Sequence, residues 1–246
     1  MDRMLYIAMS GAKETMLAQG VNAHNLANIN TTAFKADLAA FTNMQVRGPG
    51  FDSRAYAIEQ GRGTDLSIGN QISTGRDLDI AVQGEGWIAI QAPDGSEAYT
   101  RAGDLHIDSL GRVTVGAGLP VLGDSGPIAL PPLQRADIGS DGTVSVVTQG
   151  SNPDTVSVID RIRLVNPPQE SLFKDADGFI RKRDGLPAIP DASVQISTGM
   201  LESSNVNAVN ALVSMIELSR QFEMQVKMMK TAEANDESSA QLLRMG

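Results

Sequence analysis

The two ends of the chain carry a helical repeat of apolar residues, and this feature restricts the fold more than any other. Residues 2–28 contain no proline, and apolar or small residues recur there every three or four positions, which is the spacing of an amphipathic α-helix. The same spacing recurs from about residue 204 to residue 244, after the possible capping residues Ser203, Ser204 and Asn205. The pattern therefore predicts a helix at each end, roughly 40 and 60 Å long.

The apolar positions of each predicted helix fall on one seam. Gly11 and Gly20 each weaken the first helix by about 1 kcal/mol relative to alanine, so packing has to hold it. We expect the two helices to pack as a coiled-coil-like pair whose apolar faces are completed by neighbouring subunits. The predicted packing residues are Leu5, Met9, Ala12, Met16, Leu26, Leu212, Met215, Ile216, Phe222, Val226 and Met229.

The middle of the chain has the pattern of short β-strands. Alternating or β-branched runs occur between residues 78 and 165, and turn sequences such as Asp141-Gly142 separate them. This pattern favours an antiparallel sandwich or irregular barrel, so the predicted fold class is α+β with a central antiparallel β-domain. The predicted segments are a helix over 1–30 that pairs with 200–246, an extended linker arm over 31–77, a β-domain over 78–198 and a long helix over 199–246.

Composition excludes several classes of function. The formal net charge is −9 and the basic residues form no dense patch, so we expect no binding to nucleic acid. No run of 18 apolar residues occurs, which predicts no membrane insertion. The short apolar stretch at residues 4–12 lacks a positively charged flank and is followed by Lys13 and Glu14. We therefore expect no cleaved signal peptide.

Four short motifs suggest chemistry, and each is better explained as a turn or a strand. Residues 123–127 (GDSGP) look like a protease nucleophile segment, but neither of the two histidines is suitably placed. Residues 175–178 (DADG) lack the spacing of a calcium loop. Asp77 and Asp79 have no third ligand nearby in sequence, and residues 116–118 (GAG) are too short for a dinucleotide loop. We expect no catalytic residue, metal site, cofactor or small-molecule substrate.

Three segments, taken together, resemble the signatures of flagellar rod and hook proteins. They are residues 25–35 (NLANINTTAFK), residues 78–87 (LDIAVQGEGW) with 99–103 (YTRAG), and residues 199–206 (GMLESSNV). Ala33 stands where that family usually has glycine. The motif residues that carry the resemblance are Asn25, Leu26, Ala27, Asn28, Asn30, Thr31, Phe34, Lys35, Asn205 and Val206.

The resemblance implies a structural subunit of the flagellar basal body. Such a protein is exported by the flagellar type III apparatus and assembles helically into the periplasmic rod, with proximal and distal rod proteins as partners. Trp87 and the start of the chain favour a proximal rod protein, and a distal rod or hook-type protein is the alternative within the family. A secreted ligand-binding β-module with helical oligomerisation ends is the alternative outside it.

The resemblance also implies an export signal. Phe34, followed four residues later by Leu38, is similar to the element that the family presents to the export gate. The alternative is that these two side chains only pack the arm against the helices.

Overall fold

A computed structural model describes residues 2–45, 55–116, 118–150, 155–175 and 177–244. The chain divides into two compact units, each made of segments that are discontinuous in sequence. We call them the helical unit (Met1–Asn28, Asp37–Asp65 and Val206–Gly246) and the β-unit (Ile29–Ala36 and Leu66–Asn205). The boundaries of the four consecutive segments predicted from the sequence therefore stay a prediction.

The helical unit contains helix α1 (Asp2–Ala27), helix α2 (Ala208–Arg244) and an antiparallel hairpin of β1 (Asp37–Gln45) and β2 (Ala55–Thr64). Asn207, rather than the predicted residues 203–205, caps α2, because its Oδ1 accepts the backbone N–H groups of Val209 and Asn210 at 3.0 and 3.1 Å. No helix among the described residues is long and apolar enough to cross a membrane.

Small residues form the contact between α1 and α2. The Nδ2 of Asn22 donates a 2.7 Å hydrogen bond to the carbonyl oxygen of Ala211. Further along, a Cβ added at Gly11 would lie 2.8 Å from Nε2 of Gln225. The two helices therefore run antiparallel and approach closely, since helix separation follows the size of the side chains at the contact. The buried helical residues are Ala8, Ala12, Thr15, Ala18, Ala211 and Ala232.

Fifteen strands lie among the described residues of the β-unit, and their sheets are small and antiparallel. The largest sheet has the order β13-β5-β6-β15-β14, two sheets have three strands (β10-β11-β12 and β7-β8-β9), and two are pairs (β4-β16 and β3-β17). The strands are β3 (Gln71–Ser73), β4 (Ile80–Gln83), β5 (Trp87–Gln91), β6 (Glu97–Thr100), β7 (Leu105–Ile107), β8 (Val113–Val115), β9 (Leu119–Pro120), β10 (Leu133–Ile138), β11 (Thr143–Thr148), β12 (Ser157–Arg161), β13 (Leu164–Val165), β14 (Leu172–Lys174), β15 (Ile180–Lys182), β16 (Gln195–Thr198) and β17 (Met200–Glu202).

Two apolar clusters form the core of the β-unit. The larger is aliphatic and includes Ile80, Ile88 and Leu105, and the smaller surrounds Trp87 and Tyr99. Glycine is required where the backbone approaches closely. A Cβ added at Gly103 would lie 1.8 Å from the carbonyl oxygen of Ile80, so no larger residue fits there.

The predicted fold class was wrong. It placed a coiled-coil-like helix pair beside one central β-domain, whereas the strands of the described residues form six sheets, and the β1-β2 sheet lies in the same compact unit as the helices. Of the predicted packing residues, Met9 and Met16 are 52% and 66% exposed, and the packing role of the whole set stays a prediction. Apolar spacing predicts a helix, but the smaller side chains of α1 allow the closer approach to α2.

Candidate assembly interface

Both helices of the helical unit expose large apolar side chains. Ten large apolar side chains on α1 and α2 are between 38% and 67% exposed in the single chain. Large exposed apolar patches mark surfaces that bind other proteins. We call this set the outer helical face: Leu5, Tyr6, Met9, Met16, Val209, Leu212, Val213, Ile216, Met224 and Met228.

The residues predicted to pack the helices divide into three groups. Ala12 is buried within the helical unit. The exposed residues belong to the outer helical face, and the remainder are half-buried. Their role in assembly stays a prediction. The exposed group is Leu5, Met9, Met16, Leu212 and Ile216, and the half-buried group is Leu26, Met215, Phe222, Val226 and Met229.

The first motif residues end α1 and fix the strand that follows in the helical unit. Asn25 exchanges two hydrogen bonds with the backbone of Asp37, each 2.8 Å long. The ring Nδ1 of His24 lies 3.0 Å from Oδ2 of Asp37. Asn28 donates its backbone N–H and its side-chain Nδ2 to the carbonyl oxygen of His24. Leu26 and Val206 are half-buried and Ala27 is exposed.

The β-unit holds a buried ion triad that the sequence reasoning missed. Lys35 and Arg101 are 3% and 2% exposed, and the Glu202 carboxylate between them is fully buried. The Nζ of Lys35 lies 2.7 Å from Oε1 of Glu202, and the Nε of Arg101 lies 2.6 Å from its Oε2. A full charge is buried only when it is paired and hydrogen-bonded. Each member lies in a different one of the three signature segments, and this was the only sequence signal that pointed to the triad.

Backbone carbonyl groups complete the coordination of the two cations. Arg101 donates to the carbonyl oxygens of Gly86 at 2.6 Å, Gly84 at 2.9 Å and Val82 at 3.2 Å. The Trp87 ring lies 5.8 Å from both Lys35 Nζ and Arg101 Cζ, within the range of a cation–π contact. Residues 82–87 of the signature therefore supply the carbonyl groups and the aromatic ring that surround Arg101.

The segment that follows α1 and the segment that precedes α2 contact each other within the β-unit. The backbone N–H of Asn205 donates to the carbonyl oxygen of Phe34 at 3.2 Å, and its Oδ1 accepts the N–H of Ala36 at 2.8 Å. Ala33 donates to the carbonyl oxygen of Glu202 at 2.8 Å. Its φ of 52° is left-handed, so the backbone keeps the conformation that glycine favours. Of the other motif residues in this unit, Asn30 and Thr31 are exposed.

The two residues of the candidate export element belong to different units. In the β-unit, Phe34 is half-buried, and Lys174 Nζ lies 4.6 Å from the centre of its ring. In the helical unit, Leu38 is 50% exposed. Their recognition by an export gate stays a prediction.

The aspartates of the motifs that suggested metal or catalytic chemistry form ordinary hydrogen bonds and ion pairs. Asp79 is buried and accepts a 2.6 Å hydrogen bond from Thr74 Oγ1, while Asp77 is exposed. Asp175 and Asp177 both form ion pairs with Arg181. In the part of the chain that the structure describes, no three acidic or histidine side chains group to hold a metal ion. Residues 117 and 176, within two of the motifs, lie outside the described residues.

Comparison with known proteins gives the class of protein. Residues 197–242 match the family described as flagellar basal body rod FlgEFG protein C-terminal, and residues 81–146 match the flagellar hook protein FlgE/F/G D1 domain. The flagellar basal-body rod protein FlgF of Escherichia coli is 38% identical with full coverage of both chains. FlgF of Caulobacter vibrioides is 35% identical over 95% of each chain, and FlgG of Bacillus subtilis is 30% identical over 95% and 96%.

The chain belongs to the flagellar basal-body rod protein family. Within the family it is FlgF-like, since its similarity to proteins of that name extends over its full length. It is a structural subunit of the rod of the flagellar basal body, and the resemblance seen in the three sequence segments is confirmed.

Proposed function

We propose that this subunit enters the proximal rod by binding neighbouring axial proteins through its outer helical face. The observation that carries the proposal is the exposure of this face in the single chain, with Met16 66% and Val209 67% exposed. Such a surface is costly to leave in water, at roughly 25 cal/mol per Å² of apolar area. The helices of other rod proteins are partners that would cover it.

The assembly is helical and open in this proposal. A contact between two different surfaces of neighbouring subunits generates a filament when its rotation does not close into a ring. Long helices at both chain ends suit such stacking, since each presents exposed apolar side chains over several turns, within residues 5–16 of α1 and 209–228 of α2. The partners are proximal and distal rod proteins. Similarity to relatives named FlgF, at 31–38% identity, supports a proximal over a distal position, since those named FlgG reach 27–31%.

The protein is proposed to act without catalysis and to leave the cytoplasm through the flagellar type III export apparatus. No cleaved signal peptide takes part, and the rod section it joins lies in the periplasm. The family membership supports this route, and the proposal needs α1 intact for assembly.

A charge placed on the outer helical face tests the assembly proposal. Leu212→Asp puts a carboxylate on a side chain that is 49% exposed, so the helical unit should fold while the apolar contact is lost. We expect no incorporation into basal bodies and no motility. Ser238→Asp adds the same charge at an exposed position of α2, ten residues beyond Met228, the last member of the outer helical face, and should assemble. Normal motility of the Leu212→Asp strain would refute the proposal.

A second pair of variants tests export. Phe34→Ala removes the candidate gate residue, and we expect several-fold less secreted subunit with unchanged cellular synthesis. Lys174→Ala removes the cation above the Phe34 ring and its 3.4 Å hydrogen bond to the carbonyl oxygen of Lys35 but keeps the Phe34 side chain, so it separates recognition of Phe34 from its packing in the folded β-unit. Equal secretion of the Phe34→Ala and wild-type chains would contradict the proposed role of Phe34 in export.

A further inference from the structure

Three chain segments that leave the β-unit converge on one buried carboxylate. The chain enters the β-unit at Ile29 and again at Leu66, and it leaves after Ala36 and after Asn205, so three segments of the β-unit carry these four connections. Close to these points, Glu202 Oε1 accepts Lys35 Nζ at 2.7 Å and the backbone N–H of Gly69 at 3.0 Å. Glu202 itself lies three residues before Asn205. One side chain thus contacts or carries all three segments.

Further hydrogen bonds join the same segments to each other. Lys35 Nζ donates to the carbonyl oxygen of Ser67 at 2.6 Å. The Nδ2 of Asn205 donates to Ser67 Oγ at 3.2 Å, and its backbone N–H donates to Phe34. Residues 33–36, 67–69 and 202–205 therefore form one connected group, and each depends on the other two for its hydrogen bonds.

Arg101 anchors this group to the sheets of the β-unit. Its Nε holds Glu202 Oε2, and its other nitrogens reach the carbonyl oxygens of residues 82, 84 and 86. Val82 lies within β4, and Gly84 and Gly86 lie between β4 and β5, two strands that contribute to the apolar core. The triad is thus fixed to the core through Arg101 and to the three departing segments through Glu202 and Lys35.

We propose that the Lys35–Glu202–Arg101 triad is a clamp that makes the three segments open and close as one unit. Loss of the carboxylate leaves two buried cations without their counter-charge, which is among the most damaging changes a buried ion cluster can suffer. Because every segment is held through the same group, all three lose their anchor together. In the assembled rod, a load that reaches the β-unit through one segment is shared by the other two.

The single tryptophan of the chain reports directly on the clamp. Trp87 is the only tryptophan in the sequence, and both cations of the triad lie 5.8 Å from its ring. Displacement of either cation changes the electrostatic environment of the indole. The emission of Trp87 therefore distinguishes an open clamp from a closed one in the full-length protein.

The direct test is hydrogen exchange and Trp87 emission of the full-length Glu202→Gln variant, which keeps the side-chain shape and removes the charge. We expect exchange to become about tenfold faster or more in peptides covering residues 29–36, 66–70 and 199–206 together, with a shift of Trp87 emission. Exchange in β11 should stay unchanged. Asp137→Asn breaks an exposed ion pair with Arg135 and should alter neither signal.

Lys35→Met is the second variant and keeps the test decisive if Glu202→Gln does not fold. It leaves Glu202 paired with Arg101, so the β-unit should remain intact while the three peptides exchange faster together by a smaller factor. Faster exchange in the 29–36 peptide alone, no change in any of the three, or an equal increase in β11 would each overturn the clamp. Neither readout depends on export or rod assembly, so failure here leaves the proposed function standing.

Discussion

At the scale of single residues, Ala33 shows the chain keeping a backbone conformation that its side chain disfavours. Its φ is 52°, and an L-residue with a Cβ pays roughly 1–2 kcal/mol in that region. The hydrogen bond from Ala33 to the carbonyl oxygen of Glu202 holds the backbone in place. The turn is therefore specified by the contacts of residues 33–36 with residues 202–205 rather than by the residue at position 33.

We predict that Ala33→Gly stabilises the β-unit. Relief of the left-handed strain outweighs the lost contact of one small methyl group and the greater freedom of glycine in the unfolded chain. The free energy of unfolding should rise by about 0.5–1 kcal/mol, measured by urea denaturation followed through Trp87. Ala12→Gly, within α1, is the matched control and should lower the stability of the helical unit by about 1 kcal/mol. A destabilised Ala33→Gly variant would contradict the strain argument.

At the scale of elements, α1 shows what a periodic pattern predicts and what it leaves undecided. Apolar spacing indicated a helix. However, α1 carries one stripe of large apolar residues and one stripe of small residues, and spacing alone does not show which of the two packs against α2. Ala8 and Ala18 are buried, while Met9 and Met16 are exposed. The choice depends on how closely α2 approaches, which is a property of the tertiary structure.

The signature segments were informative in a different way. They identified the family, which the comparisons confirm, because each segment has a fixed role in the fold. The pairing of Lys35 with Glu202 was not predictable, since these residues are separated by 167 positions and the sequence contains many other possible ion pairs. The hydrogen bonds between Asn25 and Asp37 could not be foreseen for a related reason, because they depend on where the chain turns after α1.

Gly20→Ala tests the intrinsic weakness of α1. Gly20 is exposed, and a Cβ built on it meets nothing within 4 Å. Alanine should therefore add only helix propensity and stabilise α1 by about 1 kcal/mol. Circular dichroism at 222 nm should show a higher melting temperature for the helical unit. In contrast, Gly103→Ala would meet the carbonyl oxygen of Ile80 and should prevent folding of the β-unit. An unchanged melting temperature for Gly20→Ala would mean that packing alone sets the stability of α1.

At the scale of the whole molecule, the chain combines a β-unit whose apolar core is buried with a helical unit that exposes large apolar side chains. The core of the β-unit consists of two buried apolar clusters, and the charges of its triad are paired. The helical unit instead places methionine, leucine and isoleucine side chains in solvent. Methionine adapts its shape to different neighbours, which suits a subunit that contacts more than one kind of rod protein.

Oxidative footprinting of the exposed methionines tests the central claim most directly. Sulfoxide formation follows the exposure of the sulfur, and Met9, Met16 and Met224 are 52%, 66% and 61% exposed in the single chain. The three residues should react readily in the purified subunit and be strongly protected in isolated basal bodies. Equal oxidation of these methionines in both samples would show that the outer helical face stays open in the rod and would contradict the account.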